Sequence, residues 1–198
     1  MKRVVVGITG ASGSIYGIRL LEILRTYAEV ELHVVLSRSG KRTLVAETDW
    51  SAADVEALAH HGYDNGDIGA TLASGSFRTA GMVIAPCSIK TAAAVAACYA
   101  DTLISRAADV TLKEGRPLIM LIRETPLHVG HLKMMLALAE MGAVVLPPMP
   151  AFYNRPKELD DIVNHTIARV LDRLDIPQNL VGEWQGTRPR PQAGTPGA

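Results

Sequence analysis

Small and hydroxyl-bearing residues follow a short apolar run near the start of the chain. Residues 4–17 read VVVGITGASGSIYG, in which Gly10, Ser12 and Gly13 form a turn with almost no side-chain bulk. Glycine permits positive φ and close approach, so several backbone N–H groups can point at one anion. The N-terminus of the following helix adds about half a positive charge. The turn therefore predicts an anion-binding site, although a tight strand-to-helix turn without a ligand would use the same residues.

A second polar turn, PCSIKT at residues 86–91, leaves another apolar run and opens a helix with Ser88, Lys90 and Thr91. Two such helix starts at neighbouring strand ends could hold a mononucleotide, one around the phosphate and one around the ring. Cys87 beside this turn suggests a thiol nucleophile, but a small buried cysteine is the commoner case. We therefore expect Cys87 to be structural.

Other nucleotide-binding patterns fit less well. The G-x-x-G-x-x-G spacing at residues 7–13 is neither the dinucleotide fingerprint nor the Walker phosphate loop, so triphosphate hydrolysis is not expected. A nicotinamide dinucleotide stays open, because Arg38 after the second strand could accept a 2′-phosphate. Tyr153 and Lys157 form a Tyr-x-x-x-Lys pair, but Pro156 between them disfavours the helix that would align them. We discount that interpretation.

Alternating strands and helices must position these turns. Strands are predicted at Arg3–Ile8, Glu31–Ser37, Met82–Pro86, Pro117–Ile122 and Ala143–Leu146. Helices are predicted over Ser14–Tyr27, Lys41–Glu47, a short segment from Ser51, residues 87–100, Leu103–Glu114, Val129–Met141 and Lys157–Leu174. The stretch Gly62–Thr79 has no clear period, and we expect a functional loop there. The alternation predicts an α/β fold with a mainly parallel sheet covered on both faces.

Composition and charge exclude several classes of protein. The 198 residues carry 20 Lys and Arg against 20 Asp and Glu, so a nucleic-acid partner is not expected. No apolar stretch approaches the ~20 residues that span a bilayer, and Met1 leads directly into a strand without a signal peptide. Cys87 and Cys98 have no metal or redox spacing. We expect no membrane partner, a cytoplasmic location, one domain over residues 1–184, and a disordered Pro/Gly-rich tail at 185–198.

Four separated segments together resemble the UbiX-like flavin prenyltransferases, in the branch associated with aromatic-acid decarboxylases. The segments are GITGASGSIYG, SGSFRTAGMVIAPCSIKT, RAADVTLKEGRPL and PPMPAFYNRP, within a resemblance that covers residues 3–184. It implies a Rossmann-like, three-layer flavoprotein fold similar to that of cysteine decarboxylases. It also implies transfer of a dimethylallyl group from dimethylallyl monophosphate to N5 and C6 of reduced FMN, without a metal. A homododecamer with sites between subunits would pass the prenylated FMN to a UbiD-like decarboxylase.

The same resemblance assigns roles to individual residues. It implies cofactor binding by Gly10, Ala11, Ser12, Ser37, Ser88, Ile89, Lys90, Thr91 and Arg123. It implies binding of the prenyl phosphate by Arg106, Lys113, Tyr153 and Arg169. It implies catalytic roles for Ser12, Glu47, Lys113, Glu124 and Trp184. Ser12 and Glu47 would organise proton removal at the flavin, and Glu124 would protonate the departing phosphate.

These residue types suit the implied reaction. Breaking a prenyl C–O bond builds negative charge on the phosphate, which Lys113 and Arg169 can stabilise, and positive charge on an allylic carbon. An aromatic face such as that of Trp184 stabilises the second charge. Each residue also has a simpler interpretation: Lys113 lies on a charged helical stripe of the kind that usually faces solvent, and Tyr153 could pack within its loop.

Two other functions remain open. A non-catalytic flavin carrier of a phenolic-acid decarboxylase would need the flavin turns but not an extra phosphate clamp. A cysteine-decarboxylase-like flavoprotein shares the fold and would need a catalytic histidine early in the chain. His33 lies inside the second strand, where we expect a core or interface histidine instead.

Overall fold

Six strands and seven α-helices alternate in the computed structural model, which describes residues 1–183 and 186. The strands are β1 (Lys2–Ile8), β2 (Val30–Leu36), β3 (His61–Asp64), β4 (Gly81–Cys87), β5 (Leu118–Ile122) and β6 (Val144–Val145). The helices are α1 (Ser14–Leu24), α2 (Arg38–Glu47), α3 (Ala52–Glu56), α4 (Ile89–Ala96), α5 (Leu103–Lys113), α6 (Val129–Glu140) and α7 (Leu159–Arg173), with a 3₁₀ turn at Thr71–Ala73.

The strands form one sheet in the order β3-β2-β1-β4-β5-β6, and every neighbouring pair is parallel. The order reverses between β1 and β4, because β2 and β3 are added on one side of β1 and β4, β5 and β6 on the other. In such sheets the loops at the carboxyl ends of the two central strands diverge and leave a crevice. The predicted parallel α/β fold is confirmed.

Helices cover both faces of this sheet. Val4, Val6 and Ile8 of β1 point into a core with α1, α2, α3 and α7, while Val5 points into a second core with α4, α5 and α6. This period-two alternation on a strand is what a sheet buried on both faces requires. Among the described residues, every helix is too short or too polar to cross a membrane.

The largest departure from the sequence prediction is β3, which lies within the stretch that was expected to be a loop. β3 is a four-residue edge strand whose side chains are mostly solvent-exposed. Such a strand has no apolar alternation, so its pairing with β2 leaves no hydrophobic signal in the sequence. Two predicted helices are also shorter at one end, since α1 ends at Leu24 and α7 begins at Leu159.

Helix α2 begins earlier than predicted because of its cap. The side chain of Ser37 accepts a hydrogen bond from the backbone N–H of Gly40 at 2.9 Å, so the helix begins at Arg38. The predicted signal at Ser51 is confirmed as a complete capping box with Asp54 at the start of α3. Ser and Asp are favoured at helix starts for this reason.

Helix α1 crosses β4 closely at Gly17. A Cβ atom on Gly17 would lie 2.3 Å from the carbonyl oxygen of Ala85 and 2.9 Å from Cδ1 of Ile8. The missing side chain therefore lets α1 lie against the ends of the two central strands. This contact sets the height of the first turn above the sheet.

We expect Gly17→Ala to lower the free energy of unfolding by about 1–3 kcal/mol, because the added methyl group would be forced into backbone. In an ordinary helix the same change is stabilising. Urea denaturation measures the difference. Gly62→Ala is the matched control, since its added Cβ would have its nearest atoms at 3.6 Å and should not lower stability. A Gly17→Ala protein as stable as the parent would contradict the close approach.

Candidate functional site

A cleft of about 220 Å³ opens at the carboxyl edge of the sheet, between the starts of three helices. Helix α2 contributes Ser37–Ser39, α4 contributes Ser88, Lys90 and Thr91, and α5 contributes Thr102 and Ser105. Helix N-termini carry partial positive charge, and Arg38 and Lys90 add two positive charges against the one negative charge of Asp101. This arrangement favours an anionic ligand.

The hydroxyl groups at the three helix starts are already oriented. The side chain of Ser88 accepts from the N–H of Thr91 at 3.4 Å, and its hydroxyl lies 3.1 Å from the hydroxyl of Thr91. Thr102 and Ser105 form a reciprocal capping box at the start of α5. Because these caps fix the side chains before a ligand arrives, less conformational entropy is lost on binding.

Thr9 joins the two turns across the point where the strand order reverses. Its side chain is 1% exposed, and its hydroxyl donates to the carbonyl oxygen of Pro86 at 2.8 Å. The same oxygen accepts from the N–H of Ser88, also at 2.8 Å. Sequence reasoning missed Thr9; its position directly after a buried strand is the signal that could have identified it. It sets the spacing between the first and second turns.

Gly10 brings the first turn against the start of α2. A Cβ at this position would lie 2.4 Å from Cβ of Ser39, so no other residue fits without movement. Gly10 and Ser39 thus form adjacent parts of one cleft wall. The predicted cofactor residues Gly10, Ser37, Ser88, Lys90 and Thr91 all line this cleft.

The N-terminus of α1 already holds an anion, which is the carboxylate of Glu47. Its Oε2 accepts from the N–H groups of Gly13 and Ser14 at 2.9 and 3.0 Å. Burial alone would raise the pKa of the Glu47 carboxyl, but hydrogen bonds from Ser12 and these two amides outweigh it and lower the pKa. These two amides bind the Glu47 carboxylate in the single chain, and the binding of a ligand anion at the first turn stays a prediction. Ser12 and Glu47 do lie together, as the predicted pair requires.

Two further predicted residues lie at the same edge of the sheet, in the loop after β5. The N–H of Arg123 donates to the carbonyl oxygen of Cys87 at 3.1 Å, which holds this loop beside the second turn. Glu124 is exposed, and its Oε1 accepts from the N–H of Thr125 at 3.0 Å. Both side chains are exposed in this loop.

Cys87 is completely buried, and Cys98 is exposed. Burial strongly raises the pKa of the Cys87 thiol, which stays protonated at neutral pH. A protonated, inaccessible thiol cannot act as a nucleophile. The structural interpretation of Cys87 fits this environment.

A second polar pocket, of about 190 Å³, contains Tyr153 and Arg169. The hydroxyl of Tyr153 lies 2.9 Å from Nε2 of His165, one turn before Arg169 on α7. Arg169 pairs with Asp172 and is more than half exposed. Burial and the charge of Arg169 lower the pKa of His165, so its imidazole is neutral at pH 7. Tyr153 and Lys157 precede α7, which removes the Tyr-x-x-x-Lys interpretation.

Arg106 and Lys113 do not reach this pocket within one chain. They lie on α5, which packs on the opposite face of the sheet from α7. Lys113 pairs with Glu114 at 2.6 Å, and Arg106 pairs with Asp109 at 2.7 Å and donates to the carbonyl oxygen of Ala73. Two helix layers separated by a sheet stand about 20 Å apart, roughly two helix diameters. The four predicted phosphate ligands thus fall into two pairs on opposite faces.

Three predicted residues remain, Ala11, Ile89 and Trp184, and one residue that was not predicted joins the cleft. Ala11 is buried in the first turn, and Ile89 is the first residue of α4. Trp184 and the tail 185–198 lie outside the described residues, apart from Gly186. Asn65 lines the cleft and was not predicted; its backbone oxygen and Oδ1 accept from the N–H groups of Leu103 and Ile104 at the start of α5.

Comparison with known proteins places this geometry among flavin-binding proteins. A family model described as Flavoprotein matches residues 1–171. Flavin prenyltransferase UbiX of Escherichia coli K12 is 54% identical over 188 residues, which cover 94% of this chain and 100% of the relative.

Two solved structures extend the likeness to three dimensions. A dodecameric FMN-dependent UbiX-like decarboxylase from Escherichia coli O157:H7 is 51% identical with a TM-score of 0.91 and covers 93% of this chain and 100% of its own. The protein AnUbiX, in complex with FMN and dimethylallyl pyrophosphate, is 42% identical with a TM-score of 0.92, covering 94% of this chain and 99% of its own.

We expect Thr9→Val to lower the free energy of unfolding by about 1–3 kcal/mol, because the Ser88 N–H loses its acceptor and the Pro86 oxygen keeps only the backbone N–H of Thr9. Thr9→Ser keeps the hydroxyl and is the matched control, with a smaller loss from the missing methyl group. Denaturant unfolding of the three proteins measures both changes. Equal stability of the valine and serine variants would mean that the hydroxyl does not join the two turns.

Proposed function

The chain belongs to the flavoprotein family and, within it, to the UbiX flavin prenyltransferases, and from that premise we propose how its own residues serve this chemistry. The observation that carries the proposal is the 54% identity to a flavin prenyltransferase over nearly the whole chain. The enzyme transfers a dimethylallyl group to FMN. The structure supplies a cleft for a flavin phosphate and a separate polar pocket for a second anion.

FMN fits the cleft by the chemistry of its donor groups. We propose that its phosphate lies against the starts of α2, α4 and α5, where hydroxyl groups, Arg38 and Lys90 converge. The start of α1 is excluded for the phosphate, since Glu47 already occupies those amides. The ring system would then extend over the first turn at Gly10–Ser12 towards Arg123. Position 10 must be glycine in this arrangement, because any larger side chain there would collide with Ser39.

Reduced FMN would supply the electron-rich N5 and C6 atoms, which become bonded to two different carbons of the dimethylallyl group as its C–O bond to the phosphate breaks. The protein must then stabilise the phosphate that leaves and accept the proton that the flavin releases. We propose that Ser12 relays a proton to Glu47, whose carboxylate lies within hydrogen-bonding reach of Ser12. The low pKa of Glu47 keeps this carboxylate ionised at neutral pH, which is the form that accepts a proton. Glu124, in the loop after β5, would protonate the phosphate that leaves the dimethylallyl group.

The phosphate clamp requires two subunits. Lys113 and Arg106 on α5 cannot meet Tyr153 and Arg169 through the sheet of their own chain, so a site that uses all four must combine α5 of one subunit with α7 of another. Each of these cations is already paired with a carboxylate in the single chain. A phosphate at the subunit boundary would share these cations and gain charge stabilisation in a water-poor site.

An exposed apolar surface supports assembly. Val129, Leu132 and Leu136 on α6 are 53–67% exposed, and Met149 and Phe152 in the following loop are about 70% exposed. Contiguous apolar residues of this size usually mark a protein interface. The dodecameric relative makes a dodecamer the assembly that we propose here.

We further propose a cytoplasmic enzyme whose prenylated FMN serves a UbiD-like decarboxylase of aromatic acids. Reduced FMN as a substrate and two free thiols, Cys87 and Cys98, suit a reducing compartment. The cleft is open to solvent on one side, and a product that is held only by helix starts and a few side chains can leave it.

The direct test is an anaerobic incubation of the purified chain with reduced FMN and dimethylallyl monophosphate, followed by mass spectrometry of the flavin. We expect a product heavier than FMN by one five-carbon unit, formed only with both substrates present. Dimethylallyl pyrophosphate in a parallel reaction identifies the donor, since AnUbiX was crystallised with that compound. A flavin of unchanged mass with either donor would leave the chain as a flavin carrier without prenyltransferase activity.

A mixing experiment tests the two-subunit clamp. We expect Lys113→Gln and Arg169→Gln each to lower kcat/KM by about 10²–10³-fold, because each removes a cation from the phosphate. Co-expression of the two variants with different tags should restore activity to about a quarter of the sites, those that receive an intact Lys113 from one subunit and an intact Arg169 from the other.

The matched control is co-expression of Lys113→Gln with the double variant Lys113→Gln/Arg169→Gln. This mixture contains no intact Lys113 and should stay inactive. Activity measurements on the isolated mixed oligomers distinguish the cases. If the two single variants fail to complement each other, then Lys113 and Arg169 do not act in the same shared site.

A further inference from the structure

Two histidines and a glutamate meet at the edge of the sheet that β2 and β3 form. His33 of β2 lies opposite His61 of the edge strand β3 in the parallel register. Glu31 lies two residues before His33 and therefore on the same face of β2. The two imidazole rings are stacked, with centroids 4.8 Å apart and planes inclined by 17°. No step of the proposed reaction uses this cluster.

The distances within the cluster suit a small cation. Oε1 of Glu31 lies 3.2 Å from Nε2 of His61 and 3.4 Å from Nε2 of His33, and the three atoms lie within 4.8 Å of one another. Ligand atoms that are each about 2.1 Å from a tetrahedral zinc ion stand about 3.4 Å apart. The distances from Oε1 of Glu31 to the two Nε2 atoms already have about this length. A small tilt of the exposed His61 ring would bring the distance between the two Nε2 atoms to the same value.

His33 supplies an independent indication. Its side chain is 1% exposed, yet its Nε2 makes no hydrogen bond to any described residue. Buried ring nitrogens without a partner are rare, because the lost hydration is not replaced. This atom points at the carboxylate of Glu31, so an acceptor faces an acceptor unless a proton or a cation lies between them.

The outer contacts orient His33 as a metal ligand. Its Nδ1 lies 3.0 Å from the hydroxyl of Tyr63, which in turn lies 3.3 Å from the hydroxyl of Thr71. Tyr63 can thus accept from Nδ1–H and donate to Thr71, which leaves the lone pair of Nε2 facing Glu31. Metal-binding histidines commonly donate their other ring N–H in this way.

Charge at the cluster is compatible with a divalent ion. Burial lowers the pKa of His33 to about 4, outweighing the opposing effect of Glu31, so the imidazole is neutral at pH 7. Oε2 of Glu31 accepts from Nε of Arg3 at 3.0 Å, and the Arg3 guanidinium stacks on Phe77. Arg3 repels a cation, but it also holds the carboxylate with Oε1 turned towards the histidines. His60 is the other basic group nearby, and its Nδ1 is occupied by the N–H of Leu32.

We propose that Glu31, His33 and His61 bind a divalent transition-metal ion, for which zinc is the best match, in a structural site outside the flavin cleft. Two imidazole nitrogens and one carboxylate oxygen are ligands that zinc prefers, with water in the fourth position. The side chain of His61 is 52% exposed, which provides both the route of entry and space for that water.

Such an ion would tie the short edge strand to the sheet. β3 pairs with β2 over only four residues. Asn65 follows β3 directly, caps α5 and lines the cleft. Zinc at His61 would therefore stabilise the start of α5 as well as β3. The effect on the cleft would be indirect, through the position of Asn65.

The experiment uses the full chain after treatment with a chelator, titrated with zinc in competition with a chromogenic chelator. We expect one ion per chain at high affinity, a melting temperature that rises with zinc concentration, and visible absorption bands of a tetrahedral site when cobalt(II) replaces zinc. His61→Gln should weaken zinc binding by more than about 100-fold, and Tyr63→Phe by about 10–100-fold, as expected for an outer contact. His61 is exposed, so its variant should fold even if a change at buried His33 does not.

His60→Gln is the matched control, because it removes a neighbouring histidine whose Nδ1 is already occupied by the N–H of Leu32 and which is not one of the three proposed ligands. Its zinc affinity and cobalt spectrum should equal those of the parent. The neighbouring rings of His128 and His131 at the start of α6, which are tilted by 32°, remain intact in all variants. Zinc binding that is unchanged in His61→Gln would assign the ion to another group such as this pair and overturn the proposal, as would a parent chain that binds no zinc. Both results are independent of prenyltransferase activity.

Discussion

The hydroxyl of Thr9 is the contact on which the arrangement of the site depends. It bridges the carbonyl oxygen of Pro86 and the N–H of Ser88, and so joins β1 to the turn after β4 where the strand order reverses. The backbone N–H of Thr9 also donates to the carbonyl oxygen of Pro86, at 3.2 Å, before the segments that follow β1 and β4 diverge. One buried side chain that both donates and accepts satisfies both turns and fixes their spacing.

The Glu47 carboxylate neutralises one helix start within the chain, so the helix starts differ in what they can bind. Glu47 occupies the N–H groups at the start of α1, and in the proposed function the FMN phosphate therefore lies at the starts of α2, α4 and α5. The same carboxylate stays ionised and lies beside Ser12, next to the place proposed for the flavin ring. A residue that satisfies a helix end in the free chain is therefore also the proposed proton acceptor.

The sheet itself limits what one chain can assemble. Helices α5 and α7 lie on opposite faces, and a layer of buried strands between them prevents Lys113 from meeting Arg169. Exposed apolar side chains on α6 and in the following loop give a physical reason for subunits to associate. In the proposed function, oligomerisation is thus a condition for completing the phosphate site and not only a source of stability.

The sequence alone determined the α/β class, the two small-residue turns and the helix-start residues Ser51 and Ser88, because these depend on local periodicity and local hydrogen bonds. The quoted segments also carried the family resemblance. Contacts between distant parts of the chain were decided only by the tertiary structure. Thr9 and Pro86, Glu47 and Gly13, and the cluster of Glu31, His33 and His61 are examples. The edge strand β3 belongs with them, since its four mostly exposed residues have no pattern of their own and are defined by pairing with β2.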